Sequence, residues 1–262
     1  MENFEILCVT MHQNDFSKIK EMNIKSNVVF ANQCDKTSYE EYEVDGKIAK
    51  MISTCTRGVG INRNIALQYA SAKYCLFADD DMIYIDGYEN IVVDAFKKYP
   101  RADIIVFKLD HLNSFTPIRK EGSRVKRVRV WNSMRYGTPR VAIKKSSMDK
   151  ACLSFSTLFG GGAKYSSGED SLFIRDAIRK GLKIYYCPIV IAKVKQEQSS
   201  WFKGYNDKYF IDKGVLIANA FPKMKWILKY YFAFRYRKVS KDYNFRKICE
   251  LINKGLKEYK RF

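Results

Sequence analysis

Short apolar runs alternate with amphipathic stretches over the first ~110 residues, and this alternation sets the predicted fold. Residues 4–10 (FEILCVT), 27–31 (NVVFA), 50–54 (KMIST), 74–78 (YCLFA) and 103–109 (DIIVFKL) have strand length and strand composition. Between them, residues 17–22 look helical. Residues 60–71 place Ile61, Ile65 and Tyr69 four apart, and residues 87–99 form a helical stretch closed by Pro100. Strands alternating with helices imply βαβ units and a mostly parallel sheet flanked by helices. The middle is less regular. Residues 141–143 read as a strand and 157–168 as a Gly/Ser-rich loop. Residues 171–180 read as a helix capped by Gly181, and 183–186 and 189–194 as two strands. After Trp201, Lys and Arg mix with Tyr, Phe and Trp, and helix is expected. The predicted organisation is a domain over 1–200, with a nucleotide-binding half (1–110) and a second half (111–200), followed by a basic aromatic helical region (201–262).

Charge changes that picture locally. The net charge is +19, but residues 118–150 carry +9 and residues 201–262 carry +11, leaving the rest near neutral. Two basic regions of this kind attract polyanions such as diphosphates, acidic lipid or nucleic acid. Tyr and Phe are abundant enough for single-strand binding, yet no nucleic-acid motif is present. The seven cysteines form no C-x-x-C pair, and the two histidines, His12 and His111, are isolated, so a zinc site is not expected. The scattered, odd cysteine count favours a reducing compartment. No basic n-region with an apolar run opens the chain, and no stretch reaches membrane-span length. The expected location is cytoplasmic, with a peripheral place on the inner face of the membrane left open.

The densest chemistry is Asp79-Asp80-Asp81, directly after the buried-type run 74–78. Adjacent carboxylates repel unless a cation is near. Hard cations such as Mn²⁺ or Mg²⁺ take oxygen ligands and share them with substrate phosphates. If the chain stays extended, Asp79 and Asp81 point the same way and can hold one metal, with Asp80 turned toward sugar or ribose. A solvated acidic turn, or carboxylates at a helix N-terminus, is the bland alternative. In open α/β sheets ligands bind at the carboxyl ends of strands, which is where this triplet falls.

The stretch from Thr56, TRGVGINRNIALQYASAKYCLFADDD, resembles glycosyltransferase family 2, the enzymes of the GT-A fold. Gly168-Glu169-Asp170 before a helix and Asn32-Gln33-x-Asp35 after the second strand are similar to two further family segments, and the resemblance spans about residues 4–195. It implies a metal-dependent transferase of bacterial polysaccharide type using a nucleoside-diphosphate sugar, UDP-linked, as donor. It also implies site roles. Asp79 and Asp81 match the metal and diphosphate motif, and Asp80 faces sugar or ribose. Asp35 matches the residue that recognises the base. Arg63 matches a basic residue near the nucleotide, and Arg57 serves the diphosphate. Thr10 sits where family members, many with Pro, touch the nucleoside. Asp170 matches the catalytic base, with Glu169 orienting acceptor or loop, although a helix-dipole pair at that position is equally compatible with the sequence. The family often supplies a further metal ligand, commonly His, late in the domain. No His follows His111, so Gln196, Glu197, Ser199 or water is left for that place.

Gly160-Gly161-Gly162 lacks the Lys and spacing of a P-loop and reads as a flexible acceptor-side loop. His12 and His111 read as structural. Residues 119–129 (RKEGSRVKRVR) either guide an anionic acceptor or form a solvated loop. Residues 221–238 (FPKMKWILKYYFAFRYRK) interleave rings and cations. That pattern suits a membrane interface, or a helix packing its rings on a core. The acceptor expected for the enzyme is a glycan or a polyprenyl-diphosphate-linked chain. The alternative is a non-catalytic GT-A scaffold that holds an anionic polymer or a partner enzyme at the membrane.

Overall fold

The computed structural model describes residues 3–111, 122–195, 204–240 and 242–259; the side chain of His111, and Gln196, Glu197 and Ser199, lie outside what it describes. The chain forms two compact units, Met1–Leu158 with Glu169–Glu197, and Phe159–Gly168 with Gln198–Phe262.

The first unit is built on one ten-stranded sheet. Its parallel heart comprises β1 (Phe4–Met11), β2 (Asn27–Gln33), β4 (Lys47–Thr54) and β5 (Tyr74–Asp79), in the spatial order β4-β2-β1-β5. On one edge, β3 (Ser38–Val44) pairs antiparallel with β4. Beyond β5 come β9 (Val141–Lys144), antiparallel to both neighbours, then β7 (Ile104–His111), β10 (Ile184–Val194) and β6 (Met82–Tyr84). The two-residue β8 (Lys126–Arg127) also pairs with β10.

Period-2 alternation divides the sheet's two faces between two cores. Phe4, Ile6 and Cys8 of β1, Phe30 of β2 and Leu76 of β5 pack into one. Leu7, Val29 and Phe77 pack into the other. The first face is covered by α3 (Tyr88–Lys98), through Val92 and Phe96. The second is covered by α2 (Val59–Tyr69), through Ala66 and Leu67, and by α5 (Glu169–Arg179), through Phe173 and Ile174. Helices on both faces of a mostly parallel sheet are the architecture expected from the alternation.

Four local features differ from the sequence expectation. Residues 38–54 form a hairpin whose turn, Asp45-Gly46, has φ of 51° and 67°. Two positive φ values make it a type I′ turn, for which Asp-Gly is a favoured pair. The two strands expected at 183–186 and 189–194 are one strand, β10, whose ladder slips between Tyr186 and Val190. Pro188 lies in that gap and has no N–H to donate. Finally, Lys145–Lys150 forms a short helix, α4, directly after β9. The helix expected at 17–22 is the single turn α1 (Lys18–Glu21).

The second unit holds α6 (Asp207–Ala220), α7 (Lys225–Tyr236) and α8 (Phe245–Glu258) around a core of Phe210, Ile217, Ala233, Ile248, Leu251 and Ile252. Asn206 and Asn244 cap α6 and α8 by accepting the N–H of Tyr209 and Lys247. At the α6–α8 crossing, a Cβ on Gly255 would stand 1.9 Å from the Ile211 carbonyl oxygen. One on Gly214 would stand 2.1 Å from that of Ile252, so the two backbones touch because neither position has a side chain. Among the described residues, no helix is long and apolar enough to cross a membrane.

Candidate active site

Strand register gathers the candidate residues at one end of the parallel sheet. Val9 pairs with Asp79, Thr10 with Asn32, and Met11 with Gln33, so the carboxyl ends of β5, β1 and β2 lie side by side. Alternation along β5 then fixes the direction of its last residue. Cys75 and Phe77 face α2 and α5, and Asp79 shares their parity.

Arg63, in the second turn of α2, meets Asp79 there. Its Nη2 donates to Asp79 Oδ1 at 3.2 Å, and its Nη1 donates to Asp170 Oδ1 at 2.7 Å and Glu169 Oε1 at 3.1 Å. Only 4% of the Arg63 side chain is exposed. Its guanidinium lies 5.5 Å from the centroid of the Phe155 ring, which itself stacks on Phe173. Burial works against its charge, but Asp170, Asp79 and Glu169 more than reverse this, and its pKa lies above the ordinary value. Arg63 thus ties the end of β5 to the start of α5.

The start of α2 is set by close packing. Gly58 has φ of 125° and donates its N–H to Gln33 Oε1 at 2.9 Å. A Cβ on Gly60 would lie 2.3 Å from the Ser156 carbonyl oxygen. Asn64 exchanges two hydrogen bonds with the backbone of Phe155, of 2.9 and 2.7 Å. In the Arg-Asn pair, therefore, Arg63 reaches the carboxylates while Asn64 fixes the segment that carries Phe155.

Three carboxylates surround one guanidinium, so the cluster carries excess negative charge when all are ionised. Burial, and then the charge of Asp170, push Glu169 up to about 7, against the pull of Arg63. Burial also lifts Asp79 above the ordinary carboxylate range, with Arg63 opposing. Asp170 is further fixed by Thr138, whose hydroxyl donates to its Oδ1. Thr138 is fully buried and sits in a 3-10 turn, Thr138–Arg140, that leads into β9. It stands in the irregular, basic middle of the sequence, where only the Gly137-Thr138-Pro139 turn signal marked it.

The other candidates occupy neighbouring positions at the same sheet end. Thr10 is buried and its hydroxyl donates to Asp80 Oδ2. Asp35 and Arg57 are exposed and paired at 3.2 Å. Asn32, buried near the end of β2, holds the loop after β1 by bonding both backbone groups of Gln13. The aspartate triplet does not remain extended. β5 ends at Asp79, Asp80 and Asp81 form a turn into β6, and the Asp81 carbonyl accepts the N–H of Lys195. Strand alternation therefore does not align Asp81 with Asp79. Among the described residues, no three acidic, His or Cys side chains stand together as a ready-made metal cage. A cation that keeps most of its ligands from water and phosphate needs only one or two carboxylates. Asp79 at the end of β5, the exposed Asp81 and the local excess of negative charge fit that kind of site. His12 is exposed, with φ of 53°, and contacts none of these groups through a described bond. Gly160 to Gly162 lie in the second unit.

A mixed, mostly parallel sheet with acidic side chains gathered at its carboxyl edge is the arrangement of the GT-A fold. The model of glycosyl transferase family 2 matches residues 33–157, a span that includes Asp35, Arg57, Arg63 and the aspartate turn. Solved structures agree on the fold. S. aureus TarS 1-349 in complex with UDP-GlcNAc matches with a TM-score of 0.64 and 16% identity over 92% of this chain and 74% of that one. Its complex with UDP gives 0.61 and 16% over 90% and 72%. TarS 1-349 gives 0.63 and 14% over 99% and 93%. No curated protein matches the sequence.

Proposed function

We propose that the chain is an inverting transferase that moves a sugar from a UDP-linked donor to a hydroxyl of a glycan or polyprenyl-diphosphate-linked acceptor. One observation carries this reading. Arg63 holds Asp79, at the end of β5, beside Glu169 and Asp170, at the start of α5. A donor-side carboxylate and an acceptor-side carboxylate pair thereby meet around one fixed cation. The UDP-sugar and UDP bound by the TarS structures support the donor class.

In this reading, Asp170 takes the proton from the acceptor hydroxyl as its oxygen attacks the anomeric carbon. The new carbon–oxygen bond forms as the bond to the diphosphate oxygen breaks, and one such displacement inverts the anomeric configuration. Thr138 and Arg63 fix Asp170 Oδ1, which leaves Oδ2 to face the acceptor. Glu169, whose carboxyl is pushed up to about 7 by burial and by Asp170, lowers the negative charge beside Asp170 whenever it takes up a proton. Asp35 and Arg57, exposed at the end of β2 and before α2, read the base and the diphosphate. Thr10 orients Asp80 toward the ribose or sugar. Asp79 and Asp81 would hold a Mn²⁺ or Mg²⁺ ion, which supplies neutralisation of the departing diphosphate.

Calorimetric titration of UDP, GDP and CDP, with and without Mn²⁺, tests the proposal. UDP is expected to bind in the presence of metal, and Asp81→Ala to abolish that metal-dependent binding. A protein that binds none of the three under either condition refutes the reading and leaves the basic scaffold as the alternative.

A further inference from the structure

The transferase reading uses the sheet edge of the first unit and leaves the most unusual surface of the second unit unexplained. That surface is α7. At 100° per residue, Leu228, Phe232 and Tyr236 fall on one side of the helix and pack into the second unit's core. Trp226, Tyr230, Phe234, Ile227 and Tyr231 fall on the other, within an arc of about 140°. Each of these five is at least half exposed, and Ile227 reaches 67%. Single exposed apolar residues are ordinary, but five large ones on one helical face are not.

The charge around the stripe is of one sign. Residues 221–240 contain Lys223, Lys225, Lys229, Arg235, Arg237 and Lys238, and no Asp or Glu. Several of these cations lie against the stripe's own rings. Lys229 Nζ is 4.4 Å from the Tyr230 centroid and 5.3 Å from that of Trp226, and Arg237 Cζ is 4.0 Å from that of Phe234.

We infer that the outer face of α7 docks on an anionic lipid bilayer, with Ile227 and Phe234 entering the acyl boundary. Trp226, Tyr230 and Tyr231 then lie at headgroup depth, where amphipathic rings concentrate, and the cations meet lipid phosphates. The helix is about 18 Å long, which suits lying in the interface and is too short to span it. Charge complementarity selects the occupant. A second copy of the same face would bring six cations against six, with no acid to pair them. A nucleic acid would pair the cations but has no use for exposed Ile227.

The inference is independent of the transferase reading, and the experiment keeps them separate. The full chain is co-sedimented with phosphatidylcholine vesicles and with vesicles containing 30% phosphatidylglycerol, at low and high salt. Circular dichroism and vesicle-free UDP titration are run on every variant. The wild type is expected to pellet with the anionic vesicles and to be released by salt. Ile227→Ser and Phe234→Ser are each expected to weaken partitioning about ten-fold, and Lys225→Gln and Lys229→Gln about five-fold each. The variants should keep wild-type circular dichroism and nucleotide binding. Failure of the wild type to pellet, or undiminished pelleting of the folded Ile227→Ser/Phe234→Ser double variant, overturns the proposal. So does a vesicle-free dimer that the double variant converts to monomer, because the face would then belong to a second copy.

Discussion

Glu169→Gln isolates the electrostatics of the carboxylate cluster. Glu169 is 12% exposed, and its carboxyl is pushed from 4.5 to about 7 by burial and by Asp170. The folded protein therefore holds a proton on Glu169 that the unfolded chain releases between these two values. A group with a raised folded pKa contributes fully below its unfolded value and loses that contribution as pH rises through the folded one. At about 1.4 kcal/mol per unit, the shift corresponds to an upper bound of about 3 kcal/mol, lost between about pH 4.5 and pH 7. Gln at 169 retains a carbonyl oxygen for Arg63 Nη1 and has no proton to lose. The variant should thus match or slightly trail the wild type at pH 4.5 and gain on it by about 2–3 kcal/mol by pH 8. Urea unfolding of both proteins across this range measures the difference, and titrating groups common to both largely cancel. A difference that stays flat with pH, or that favours the wild type more as pH rises, would show that Arg63 fully neutralises Glu169.

Other predictions follow from the same geometry. Asp170→Asn should keep UDP binding and the Thr138 contact but lower turnover by at least a hundred-fold, as expected for a lost general base; unchanged turnover removes Asp170 from that role. Asp35→Ala breaks an ion pair whose partners are 59% and 83% exposed, so thermal stability should be nearly unchanged while UDP affinity falls. A loss of folding stability would assign Asp35 a structural role instead. Gly255→Ala forces a Cβ onto the Ile211 carbonyl and should destabilise the helical unit by about 1–3 kcal/mol or more, read as a lower melting temperature; a neutral result would show that α6 and α8 can separate freely.

How far the sequence carried these arguments depended on whether the physics was local. The run from Tyr74 to Ala78 announced both a buried strand and its end, because its composition and the charges after it are local signals. Alternation along a strand is likewise a local rule, and it places Asp79 with Cys75 and Phe77 on the face that α2 covers. Extending that rule to Asp81 did not work: the chain turns at Asp80 and Asp81, and three adjacent charged residues give no periodic cue to a turn. The hairpin at 38–54 was hidden by polar residues on its exposed edge strand, although Asp45-Gly46 marked its turn. The roles of Thr138 and Phe155 were not legible in the sequence because each owes its place to a partner far away along the chain, Asp170 and Arg63 respectively.

Arg63 shows most clearly what the sequence withheld. A basic residue near the start of a helix, close to a nucleotide motif, points toward phosphate. In the fold it is buried and bonded to three carboxylates, two of them more than 100 residues further along the chain. The expectation and the geometry agree under the proposed function, because a cation shared by Asp79 and Asp170 couples the proposed donor side to the proposed acceptor side. Any positive charge that arrives beside Asp79 competes with Arg63 for it and leaves more of the guanidinium to Asp170 and Glu169. The same salt bridges that stabilise the cluster when no donor is bound thus give donor binding a physical route to the proposed base, and Arg63→Lys, with one compact charge in place of a fork, should weaken that route more than it weakens the fold.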